Sequence, residues 1–105
     1  MADCCQVTTT VDTRETAERI ATALVEERLA ACAQVAGPIA STYRWRGAVE
    51  HATEWHCHLK TTRARVPALE ARVRELHPYD VPEIIALPIV AGHPAYLAWI
   101  EDSVR

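Results

Sequence analysis

Lysine occurs once in this 105-residue chain, at position 60, against ten arginines; phenylalanine is absent and glycine occurs three times. The eleven basic residues are outweighed by fourteen acids, for a net charge of −3. Without a basic excess nothing draws in a nucleic acid or an anionic membrane surface, and neither is expected as a partner. No stretch approaches the ~20 consecutive apolar residues of a membrane span. The opening MADCCQVTTTV has no positive segment ahead of an apolar run, so a cytoplasmic protein is expected. The four cysteines include no C-x-x-C pair, which argues against a structural zinc site, and a reducing cytosol would keep the thiols free. Also missing are a glycine-rich phosphate loop, a nucleophile elbow and a carboxylate pair at catalytic spacing, which points away from an enzyme.

What is present suits one globular domain, residues 1–105: half the residues are hydrophobic, and the length supports a core but leaves modest stability, which an oligomer would raise. CCQVTTTV is β-branched and reads as a buried strand. In the segment after it, Asp12 as N-cap with Glu15 three residues on predicts a helix start, and Ala17, Ile20, Leu24 and then Val25 or Arg28 form its apolar stripe. From Cys32 the chain is strand-like, with a bulge or bend at Gly37-Pro38 before Ile39, Ser41, Tyr43 and Trp45 line one side. A turn around Gly47 leads into a long strand from Val49 to Thr62. Its alternation sets Trp55, Cys57 and Leu59 on one face and His56, His58 and Lys60 on the other. Val66, Leu69, Val73 and Leu76 follow helical spacing, Ile84 to Val90 reads as the last strand, and Leu97 and Ile100 anchor a short terminal helix.

The order β-α-β-β-α-β-α predicts an α+β fold. Its two βαβ halves interleave as one antiparallel, ferredoxin-like sheet with two helices on one face. The other face is left uncovered, and strands two and three, with Trp45 and Trp55, are expected to bury apolar surface against other subunits.

Several side chains stand out. His56 and His58, at i and i+2, lie on one strand face and can share a transition metal, but with no third ligand in sequence reach they read as a polar strip. Cys32, a candidate reactive thiol, reads as a buried core residue. Lys60 with the hydroxyls of Thr61 and Thr62 forms a candidate anion site, and Glu83 is placed to pair with Lys60 or Arg65. His77, ahead of Pro78, falls where a protonated imidazole caps the end of the second helix. Tyr79 and Glu83, held by the prolines, lie near it as oxygen donors.

The segments ALVEERLAACAQV, YRWRGAVE, LKTT, HPYDVPEIIALPI and YLAWI, in this order and spacing, resemble the CutA family of divalent-cation tolerance proteins over nearly the whole chain. The resemblance implies a ferredoxin-like subunit in a homotrimer similar to the PII signalling proteins. It also implies binding of copper or another divalent metal ion and a role in metal tolerance. The metal site it implies draws on a first-strand residue, Thr8 or Thr9 in this chain, and on the histidines before Pro-Tyr, of which this chain keeps His77 and has Leu76 in place of the other. An alternative is a sensor that binds an anionic small metabolite in an intersubunit cleft through Lys60, Tyr79 and Glu83.

Overall fold

In the computed structural model, which describes residues 3–105, four strands and three helices follow in the order β1 (Cys4–Val11), α1 (Arg14–Glu26), β2 (Cys32–Trp45), β3 (Ala48–Thr62), α2 (Val66–Leu76), β4 (Ile84–Pro88) and α3 (Pro94–Ser103). The sheet order is β2-β3-β1-β4 and every pairing is antiparallel. This is the interleaving expected of two βαβ halves.

Strand alternation sorts the side chains. Val7, Val11, Cys57 and Leu59 pack with Ala17, Ile20 and Leu24 of α1 and with Leu69 and Val73 of α2. These buried positions carry the 3.6-residue spacing on the helices and the two-residue spacing on the strands. Trp55 belongs to this face and packs against the same core. It is therefore not part of the uncovered surface where its place beside Trp45 was expected. The opposite face of the sheet is covered at one end only, where Ile100 and Val104 pack on Cys4 and Ala31. Elsewhere on that face Tyr43, Trp45, Ile85 and Leu87 are exposed.

Three boundaries differ from expectation. The cap of α1 is Thr13, whose extended backbone lets Oγ1 accept from the amide of Thr16 at 3.1 Å. Pairing of β1 runs through Val11, so Asp12 is spent on the bend and the cap falls one residue later. The helix ends at Glu26, and Arg28 beyond it has φ 59°, so Arg28 is off the stripe and Val25 is 39% exposed. The last strand stops at Pro88, where the ring removes a ladder donor, and Val90 is exposed.

The hairpin of β2 and β3 closes through Arg46 and Gly47, both at positive φ (50° and 81°), the two-residue turn whose twist matches that of the strands. At Ala36–Ile39 the register slips by one residue opposite His56–Glu54. That bulge occupies the expected place.

Candidate functional site

The loop after α2 is where the chain's unusual residues gather. His77 is the C-cap of α2 and is 8% exposed. Its Nε2–H donates to the carbonyl of Thr10 on β1 at 2.9 Å, and its Nδ1 accepts from the amide of Tyr79 at 3.2 Å. These two bonds define a neutral imidazole that pins the loop to the end of β1. The expected role was different, a protonated ring on helix carbonyls. Burial holds the imidazole below its ordinary pKa, although the Thr10 carbonyl, Asp12 and Glu54 pull the other way. Protonation at Nδ1 would also strip the Tyr79 amide of its acceptor. In this conformation neither nitrogen has a lone pair free for a metal, and among the described residues no three of His, Cys, Asp and Glu cluster as a ligand set.

Tyr79 turns from the loop toward the hairpin and donates its hydroxyl to Glu54 Oε2 at 2.8 Å. Burial, and then this bond, push the phenol above the ordinary tyrosine range. Glu54 is itself 7% exposed and forms no ion pair among the described residues. The two side chains form the floor of a cleft of about 820 Å³ between the hairpin and the loop, which Tyr43, Trp45, Arg46, Asp80 and Glu83 also line. Three carboxylates face one guanidinium there. The sequence reading found Tyr79 and Glu83 but missed Glu54, whose burial depends on pairing between β3 and a loop 25 residues away.

Lys60 is not in this cleft. It lies six residues from Glu54 along β3, about 20 Å at the usual strand rise, and its Nζ donates to Gln34 Oε1 at 2.7 Å. Thr61 faces the other way, buried, with Oγ1 donating to the carbonyl of Leu29 at 2.7 Å, so the expected anion cradle does not form. Glu83 pairs with neither Lys60 nor Arg65, and Arg65 Nε instead donates to the carbonyl of Val104.

The cysteines separate by environment. Cys57 is fully buried and its thiol is pushed up to about 11 by desolvation. Cys32, expected in the core, is half-buried with Sγ 3.4 Å from the hydroxyl of Tyr96, a contact that pushes Tyr96 up to about 12. His58 Nδ1 lies 3.0 Å from Thr8 Oγ1 on the open sheet face. Burial, then His56 and Lys60, lower its pKa.

No helix among the described residues is long and apolar enough to cross a membrane. Among known proteins, a Thermus thermophilus divalent-cation tolerance protein CutA is 49% identical over 94 residues, covering 90% of this chain and 91% of that protein. The mouse protein CutA is 45% identical over 93 residues, and the chain spans only 52% of it. A chloroplastic CutA of Arabidopsis thaliana is 41% identical, with 53% of its length spanned. The solved Thermus thermophilus Cut A1 structure superposes with a TM-score of 0.95 at 46% identity, covering 97% of this chain and 99% of that one. A structure described as the periplasmic divalent cation tolerance protein CutA from Archaeoglobus fulgidus gives 0.93 at 36% identity, with 97% and 99% covered. The family described as CutA1 divalent ion tolerance protein matches residues 5–103, and the chain belongs to that family.

Proposed function

We propose that this chain is a non-catalytic, homotrimeric module that binds divalent metal ions, copper among them, and serves metal tolerance as a sensor or buffer in the cytoplasm. The observation that carries this reading is the charge of the cleft. Glu54, Asp80 and Glu83 face Arg46 alone, and Glu54 is buried without a cationic partner. A buried carboxylate is costly unless a positive charge reaches it, so the cleft favours a cation. Ligation by His77, which the family resemblance implies, calls for release of its bond to Thr10 or to Tyr79. The anionic-metabolite reading keeps Tyr79 and Glu83 on the cleft but loses Lys60, and the surrounding carboxylates oppose it.

Tyr43 and Trp45 at the hairpin end, and Ile85 and Leu87 on β4, are two separate exposed apolar patches that support assembly through the open sheet face, because exposed apolar surface on a small domain suits an interface. Equilibrium dialysis of the untagged protein with divalent copper, zinc and magnesium tests the binding. Glu54→Gln is expected to weaken it, and a wild-type protein that binds none of the three ions would refute the reading. Light scattering on the same sample is expected to give about three chain masses of 11.7 kDa. A monomer at micromolar concentration would refute the assembly.

A further inference from the structure

His56 and His58 stand on the open face of β3 with ring centroids 4.9 Å apart and planes inclined by 36°. A metal held ~2.0–2.1 Å from one nitrogen of each imidazole, at a bond angle of about 90–110°, sets the two ring centres about 4.5–5 Å apart. The pair therefore already has the separation that a shared ion demands. Nδ1 of His58 is held by Thr8 Oγ1 at 3.0 Å and approached by Gln6 Nε2 at 3.5 Å, which orients the ring and leaves Nε2 as the nitrogen for a ligand. Ligating histidines are oriented in this way, with the second nitrogen engaged by a neighbouring polar group. Lys60, whose charge lowers the pKa of His58, is itself held by Gln34 Oε1 at 2.7 Å. The thiol between the two histidines, Cys57, points into the core.

We infer that His56 and His58 together chelate one divalent transition-metal ion of the borderline kind, copper(II), nickel(II) or zinc(II), through one ring nitrogen each, with the remaining positions completed by water or by groups of a subunit packed on this face. This rests on the reading of the chain as a divalent-cation-binding module and adds an imidazole site to the carboxylate cleft. Imidazole suits copper, nickel and zinc, whereas the oxygen donors of the Glu54 cleft suit harder ions such as magnesium. Two ligands make an open site, and both must be neutral to bind, so affinity falls as the medium is acidified through the histidine range.

The test is a copper(II) titration of the untagged, metal-free full chain, followed by calorimetry and by the nitrogen hyperfine pattern of the bound ion. One equivalent per chain with two nitrogens in its pattern is expected, distinct from any ion held by the oxygen donors of the cleft. His56→Gln and His58→Gln are each expected to weaken binding roughly 10-fold or more, since losing even a group that orients a ligand costs that much. His51→Gln, on the other face of β3, is expected to leave the affinity unchanged. Zinc(II) added to the wild type gives a reading that needs no variant: the ring nitrogens of His56 and His58 are expected to shift together while those of His77 stay. Wild-type affinity in both His56→Gln and His58→Gln, or shifts confined to His77, would overturn the inference and leave the cation-binding reading standing. A wild type that binds no divalent ion would overturn both.

Discussion

Tyr79 donates its hydroxyl to Glu54 Oε2 across 2.8 Å, joining the proline-bounded loop to β3. Tyr79→Phe keeps the ring and leaves a buried carboxylate oxygen without its donor, an expected loss of roughly 1–3 kcal/mol. The urea midpoint of the variant measures it. Combining the change with Glu54→Gln is expected to cost less than the two single losses added together, because both remove one interaction. Strict additivity would show that the bond contributes nothing.

His77 gives the protein a pH dependence of definite sign. Its folded pKa lies below the ordinary histidine value, so the unfolded chain takes up the proton first. Stability is then complete above about pH 6.5. It falls as the pH drops from there toward the folded pKa. Urea melts at pH 7.5 and pH 5 are expected to show this loss in the wild type and a smaller one in His77→Gln. His77→Ala, which leaves the Thr10 carbonyl and the Tyr79 amide unpaired, is expected to cost roughly 1–3 kcal/mol at pH 7.5. A pH profile that His77→Gln leaves unchanged would assign the dependence to another group.

Gly37 is required by a neighbour. A Cβ placed there would lie 2.6 Å from Cδ1 and 2.9 Å from Cγ of Trp55, at a backbone φ of 156°. Gly37→Ala is expected to cost roughly 1–3 kcal/mol through overpacking and to change the fluorescence of the displaced indole. Wild-type stability with an unchanged spectrum would show that Trp55 moves aside freely.

The thiols are expected to label in order of environment. Cys32, half-buried at the surface, reacts before Cys57, which is fully buried with its thiolate disfavoured. Mass spectrometry after timed alkylation reads the order, and early modification of Cys57 in native protein would contradict the packing.

The core stripes were legible because they depend on local period alone: Ala17, Ile20 and Leu24, or Leu69 and Val73, announce a buried helix face wherever the helix is placed. Residues whose role depends on distant pairing were not. Thr13 takes the cap from Asp12 because Val11 is committed to Trp55. Lys60 is directed at Gln34 by the β2–β3 register, which the sequence does not state. The bond of His77 to Thr10 depends on where β1 ends, 67 residues earlier, so position suggested a helix cap while contact shows a link between the loop and the sheet. The extra residue at Gly37-Pro38 also exchanges faces: Gln34 and Ala36 lie beside His58 and His56, and after the bulge Tyr43 and Trp45 occupy that same side.

Strand β3 carries imidazoles and a thiol on consecutive residues and keeps them chemically apart. Burial pushes the Cys57 thiol up to about 11, so its nucleophilic thiolate is scarce at neutral pH. A redox-active ion arriving at the imidazole side has Cys57 behind the sheet, whereas Cys32 of β2, paired with Lys60, lies on the imidazole side. Shifting the pairing of this strand by a single position would exchange the two faces, exposing the sulfur and burying the imidazoles. The register of β3 thus sets the electron chemistry of the surface as well as its shape.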